Sequence, residues 1–267
     1  MEDEKKLLGR KRQKFILDLI ERNHGVTTAD LAVQLGVSLS TIRRDLGWMG
    51  KKGLIGKTHG GAIPLSFGMT DEHPYRLKST LQDREKAAIG RKAAALIKDG
   101  DTVIFDSGST TFRIAHEVRG RRFNAIALDL PVAMELANSP LVDLIVLGGK
   151  VRTGLYNIVG TFAEDILKKL NVNKFFLGAD AIHMERGVTN ATLAETPLKQ
   201  TAMKIAQEVI LVADSSKFGK ISLVHVCRLQ DIRKIITDPN LPTETRRCLK
   251  EMDIEIIIAE LTKEVDA

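Results

Sequence analysis

From about Ser79 onward, short apolar runs alternate with stretches of helical periodicity, and this alternation constrains the fold more than any other feature of the chain. The runs fall at 102–105, 123–128, 143–147, 174–178, 209–213, 233–237 and 253–258. Helical patterns fall between several of them, at 109–118, 130–137, 160–170 and 194–207, and one at 82–98 precedes them all. Strands separated by helices cannot close as hairpins. They pair in parallel and carry their helices on both faces of one sheet. The prediction is an α/β domain over residues 79–267 with a mainly parallel sheet. Hydrophobic residues at 43% are enough for its core, and aromatics at only 4% leave the packing to aliphatic side chains and alanine. Ligands of such sheets bind beyond the carboxyl ends of the strands.

The first of those ends is the most informative. Thr102-Val103-Ile104-Phe105 runs into Asp106-Ser107-Gly108-Ser109-Thr110-Thr111, and a helical pattern follows from Phe112 to Val118. A strand turning through glycine and small hydroxyls into a helix presents N–H and hydroxyl donors at a positive dipole end, which seats a phosphate. Later segments supply companions. Gly148-Gly149 lets backbone come close, Lys150 or Arg152 can add charge-assisted bonds, and Lys217 is a second cation in a Gly/Ser-flanked loop. Asp180, Glu195 and Asp214 can accept from hydroxyl groups, whereas Asp129 would repel a phosphate and suits a hydroxyl or an amine. Glu195 and Lys199 stand four apart on a helix, so they can pair with each other or meet a ligand. His116, His183 and His225 are scattered without metal spacing, so no metal or cofactor is expected.

The first 65 residues hold twelve Lys/Arg and seven Asp/Glu, and so carry +5 of the chain's +6. A localised basic excess favours a polyanion; a solvated basic helix is the alternative. Three helices are predicted: about 10–22, then one capped by Thr27 or Thr28 and stopped by Gly36, then one capped by Ser38. Ile42, Leu46 and Met49 point the third helix inward, which leaves Ser38, Ser40, Thr41, Arg43 and Arg44 outward. Residues 53–63 are glycine-bounded and predict a hairpin. The candidate DNA-facing set is Thr27, Ser38, Ser40, Thr41, Arg43, Arg44, Lys57 and His59. Which arginine reads base edges and which meets phosphate stays open, as does an ordinary three-helix bundle. Residues 1–63 form the first predicted domain and 64–78 the linker. The two cysteines, Cys227 and Cys248, form no framework. The N-terminus lacks an apolar signal core and no run is long enough to span a bilayer, so a cytoplasmic location is expected.

Two motif groups carry a resemblance. Ser38-Leu39-Ser40-Thr41-Ile42-Arg43-Arg44-Asp45-Leu46, followed by Gly53-Leu54 and Thr58-His59-Gly60-Gly61-Ala62, resembles the DeoR family of bacterial transcriptional regulators. Further on, the 106–111 run, Leu147 to Arg152, Val159-Gly160, Leu177-Gly178-Ala179-Asp180 and Ala213 to Gly219 are similar to that family's sensor motifs, in the family's order. The resemblance implies a small α+β winged helix–turn–helix domain before a ribose-phosphate-isomerase-like sensor. It also implies double-stranded operator DNA and a phosphorylated sugar as partners, and repression relieved by that effector. A homo-oligomer, dimer or tetramer, is expected because such heads read paired half-sites. The chain departs from the family at Ala127-Leu128-Asp129-Leu130-Pro131, where a Thr-Asn-Ser-like turn is usual. A sugar-phosphate isomerase with an appended helical domain is the alternative. Those enzymes carry Asp-Gly-Ala-Asp and Lys-Gly-Gly-Gly runs; this chain has Leu177 for the first Asp and no triple glycine near Arg186-Gly187-Val188-Thr189.

Overall fold

The structure is a computed structural model that describes residues 2–64, 72–118 and 120–261. The chain divides into two compact units, residues 1–81 and 82–267. Among the described residues no helix is long and apolar enough to cross a membrane.

In the first unit the chain forms α1 (Glu2–Arg22), β1 (Val26–Thr27), α2 (Thr28–Leu35), α3 (Leu39–Lys51), β2 (Gly56–Lys57), β3 (Gly61–Ile63) and α4 (Tyr75–Lys78). The strands make a small antiparallel sheet in the order β1-β3-β2. Ile16 and Ile20 of α1, Leu31 of α2, and Ile42, Leu46 and Met49 of α3 close one apolar core with Ile55 and Ala62. The first helix starts eight residues before the predicted Arg10. The hairpin appears where expected, but its partner β1 does not show in the sequence. Of the linker expected at 64–78, residues 65–71 lie outside the described residues. The remainder packs into this unit: Leu77 is buried against Gly25, His73 Nδ1 meets the His24 carbonyl at 2.7 Å, and Arg76 pairs with Asp30 at 2.6 Å.

The second unit opens with α5 (Asp83–Ala94) and continues β4 (Thr102–Phe105), α6 (Ser109–Glu117), β5 (Phe123–Ala127), α7 (Leu130–Ala137), β6 (Val142–Val146), β7 (Lys150–Val151), β8 (Ile158–Val159), α8 (Thr161–Leu167) and β9 (Val172–Leu177). It ends with β10 (Ala181–His183), β11 (Gly187–Asn190), α9 (Thr196–Ile205), β12 (Ala206–Val212), β13 (Val224–Cys227), β14 (Lys234–Thr237), α10 (Thr243–Glu251) and β15 (Glu255–Ile258). Seven strands form one parallel sheet in the order β15-β14-β12-β9-β4-β5-β6. Alternation along each strand fills both faces. Val103, Phe105, Phe176, Ile210 and Ile236 pack with Ala88, Ile89 and Ile114 of α5 and α6. Ile104, Phe175, Leu177, Leu211 and Ile235 pack with Ala163, Leu198 and Leu249 of α8, α9 and α10. The fold is therefore a winged helix–turn–helix head and a mostly parallel α/β body.

The strand order fixes where a ligand belongs. From β4 the chain moves outward to β5 and β6, then returns to β9 on the other side of β4. The order reverses between β4 and β9, and their carboxyl ends open a crevice there. The 106–108 turn leaves β4 at that point.

Candidate functional site

In the head, the third helix is held from behind. Asp45 is buried and accepts from Arg12 Nε at 2.6 Å and Gln13 Nε2 at 3.1 Å, which ties α3 to α1. Arg43 and Arg44 precede it on the exposed side of the helix. Ser38 is the N-cap: its Oγ accepts from Thr41 N–H at 3.2 Å and lies 2.8 Å from Ser40 Oγ. Lys57 and His59 are exposed on the hairpin. The hairpin is anchored to the start of α2, because Thr28 N–H donates to the Gly60 carbonyl at 2.8 Å. Gly61 has no room for a side chain, since a methyl there would overlap the Val26 carbonyl oxygen. Thr27 differs from the rest of the DNA-facing set. It is buried, and its hydroxyl caps α2 by accepting from Asp30 N–H at 3.0 Å and donating to the Asp30 carboxylate at 2.8 Å. Of the DNA-facing set, Ser38, Ser40, Arg43, Arg44, Lys57 and His59 are exposed and Thr41 is half-buried, whereas Thr27 is inside.

In the body, the three-residue turn after β4, residues 106–108, enters α6 at Gly108, whose φ of 126° suits glycine alone. Among the described residues no side chain caps the start of the helix by a hydrogen bond. The turn is fixed by its neighbours. Asp106 Oδ1 accepts from Ser107 N–H at 2.8 Å and Oδ2 from Gly178 N–H at 2.8 Å, which bridges the crevice between β4 and β9. The Thr111 hydroxyl is spent on the Asp106 and Gly108 carbonyls at 2.7 and 2.9 Å. Ser109 is buried, whereas Ser107, Gly108 and Thr110 are half-buried.

Lys199 is the cation at the bottom of this cluster. It is buried, with Nζ 2.6 Å from Asp106 Oδ2 and 4.0 Å from Glu195 Oε1. Burial alone would pull its pKa down, but Asp106 and Glu195 outweigh it and hold the ammonium above its ordinary value. The helix pair read from the sequence is therefore the longer of two contacts, and Asp106 is the nearer partner. Asp129 is fully buried and serves the protein: Oδ1 caps α7 by accepting from Val132 N–H at 2.8 Å, and Oδ2 accepts from Gly108 N–H at 2.8 Å. Burial pushes its pKa up to about 7, against those two bonds.

The other candidates surround the same carboxyl ends. Asp180 is half-buried and accepts from Ala191 N–H at 3.2 Å. Gly149 lies flat on the Val159 carbonyl, and Lys150 beside it is exposed. Half-buried Arg152 turns its backbone to Asn157, donating N–H to that carbonyl at 3.0 Å. Lys217 ends a 3₁₀ turn over Asp214, whose carboxylate accepts from Ser216 N–H at 3.1 Å. Two residues were not singled out by sequence reasoning. Asn157 donates Nδ2–H to Glu195 Oε2 at 2.6 Å, and Asn190 donates to Oε1 of the same carboxylate. A single asparagine before a strand, as Asn157 before β8, or at a strand's end, as Asn190 of β11, gives no pattern to read.

Comparison with known proteins accords with both halves. Residues 12–66 match the family model of the DeoR-like helix-turn-helix domain, and residues 81–239 match that of the DeoR C terminal sensor domain. A putative aga operon transcriptional repressor of Escherichia coli O157:H7 is 33% identical over 259 residues, covering 96% of each chain. The lactose phosphotransferase system repressor of Lactococcus lactis is 34% identical, covering 86% of this chain and 91% of its own. The HTH-type transcriptional regulator GolR of Listeria innocua is 31% identical, covering 93% and 98%. Among solved structures, ribose 5-phosphate isomerase A of Methanocaldococcus jannaschii overlaps 51% of this chain and 54% of its own at 18% identity and a TM-score of 0.38.

Proposed function

We propose, from the premise that the chain belongs to the DeoR family of transcriptional regulators, that it represses a carbohydrate-utilisation operon and leaves its operator when a phosphorylated sugar or related metabolite fills the body's crevice. Its relatives are named as regulators and repressors, and it is a DNA-binding regulator rather than an enzyme. The observation that carries the effector reading is the uncapped first turn of α6 at the switch point of the sheet, with hydroxyls at Ser107, Ser109 and Thr110. A phosphate there takes backbone N–H groups at a positive dipole end. Two relatives are named for an aga operon and a lactose phosphotransferase system, which supports a sugar as the signal.

On the DNA side, α3 enters the major groove. Arg43 and Arg44 divide between base edges and phosphate, and Lys57 and His59 meet the flanking backbone. The chain acts as a homo-oligomer, at least a dimer, so that two heads read paired half-sites. Effector binding then shifts the balance between operator-bound and released states by a coupling of about 1–3 kcal/mol. The test of the head is fluorescence anisotropy on DNA flanking the chain's own gene. Arg43→Ala is expected to lose sequence-specific binding while nonspecific, salt-sensitive binding persists. Unchanged specific affinity in both Arg43→Ala and Arg44→Ala contradicts the assignment.

A further inference from the structure

Asn157 and Asn190 have no part in the reading above, although they lie in the same cluster. Glu195 is buried, and a carboxylate only accepts. Both amides therefore turn their nitrogens toward it, and both amide oxygens turn away. The two residues are 3% and 1% exposed, and among the described residues neither amide oxygen has a hydrogen-bond partner. A buried acceptor without a donor is costly, and native structures hold few. Here two share one carboxylate. The wall they belong to is also the wall of the cradle: Asn157 bridges Asp129 across an isolated antiparallel pair, and Asp129 holds Gly108. The charges nearby are acidic. Glu195, Asp106 and Asp180 carry carboxylates, and Lys199 is engaged by the first two.

We propose that Asn157 and Asn190 form an acceptor-only subsite beside the cradle that takes the hydroxyl or amino donors of the effector and rejects a second anionic group. This rests on the phosphate reading of the 106–111 turn and deepens it. A ligand anchored by phosphate at α6 meets the two amide oxygens with its donor-bearing part. A hydroxyl or ammonium completes both acceptors, whereas a carboxylate or second phosphate faces oxygen atoms and Glu195. The effector class is then a sugar or amino-sugar monophosphate, and sugar bisphosphates and phosphorylated sugar acids are excluded.

The test is calorimetric titration of the full chain with inorganic phosphate, a set of hexose and hexosamine monophosphates, the matching phosphorylated aldonic acids and the matching bisphosphates. At least one monophosphate is expected to bind about 10-fold or more tighter than inorganic phosphate, and its acid and bisphosphate counterparts at least about 10-fold weaker than it. Asn157→Leu and Asn190→Leu are each expected to reduce the monophosphate-to-phosphate affinity ratio about 3–10-fold, the worth of one hydrogen bond. The ligand ranking of the unaltered protein decides the matter even if a variant does not fold. A bisphosphate or sugar acid ranking first overturns the subsite, as does an unchanged ratio in both folded variants; in either case phosphate binding leaves the cradle standing. Failure of every phosphorylated compound to bind overturns the cradle and the subsite with it.

Discussion

Lys199→Met isolates the ionic centre of the body. Lysine and methionine have unbranched stems of similar length, so the substitution removes the ammonium without opening a large void. The pair it breaks is almost wholly dry: Lys199 and Asp106 side chains are 4% and 1% exposed, and 2.6 Å separates Nζ from Oδ2. Removing one member of such a pair leaves a buried charge without its counterion, which costs about 3–5 kcal/mol. For a body of this size that lowers the melting temperature by about 6–20 °C. Asp106 keeps its bonds from Ser107 and Gly178, so the acid cannot simply swing away. Adding Asp106→Asn removes the stranded charge and keeps one acceptor, and at least about 1.5 kcal/mol should return. Urea denaturation followed by far-UV circular dichroism measures both variants. The single tryptophan, Trp48, lies in the head, so its fluorescence follows that unit separately and should not shift. A loss below about 1 kcal/mol in the single variant, or a double variant no better than the single, refutes the reasoning.

Gly61→Ala should destabilise the head by at least about 1–3 kcal/mol, because the methyl drives β3 from β1 at Val26; the Trp48 midpoint in urea measures it. An unchanged midpoint means that the hairpin can give way there. Asp129 makes stability depend on pH. With its folded pKa raised to about 7 from 3.8, the folded state holds a proton that the unfolded chain releases. Stability from this group is therefore full at about pH 4 and falls as pH rises to about 7, by up to about 4 kcal/mol. Asp129→Asn, which cannot titrate, should flatten that fall in melts recorded across the window; a slope unchanged by the substitution contradicts the assignment.

Much of the body was legible because its central strands are apolar runs buried on both faces, and runs such as 102–105 coincide with β4. β12 begins earlier than its run. Ala206 and Glu208 pair with Val172 and Lys174 before the apolar stretch starts, and polar residues at a strand's edge give no hydrophobic signal. The antiparallel sheet of β10, β11 and β13 escaped notice because strands of three or four residues show no periodicity. α4 passed for linker because one turn after Pro74 is too short to read, yet Leu77 makes it part of the head's surroundings. In the site, residue types were readable but partners were not. Lys199 and Asp106 are 93 positions apart, and only the sheet order brings them together. Thr27 was readable both as a helix cap and as a DNA contact, and the fold uses it as the cap; Asp129 is a polar side chain that the sequence offered to an outside partner and the fold uses as a cap.

The most direct measurement of the central claim is release of the full chain from labelled operator DNA, followed by anisotropy as phosphorylated sugars are titrated in. The account predicts that one monophosphate lowers operator affinity about 5–150-fold while its unphosphorylated sugar does nothing at the same concentration. Operator affinity unmoved by any phosphorylated sugar, although one of them binds the protein, would contradict it.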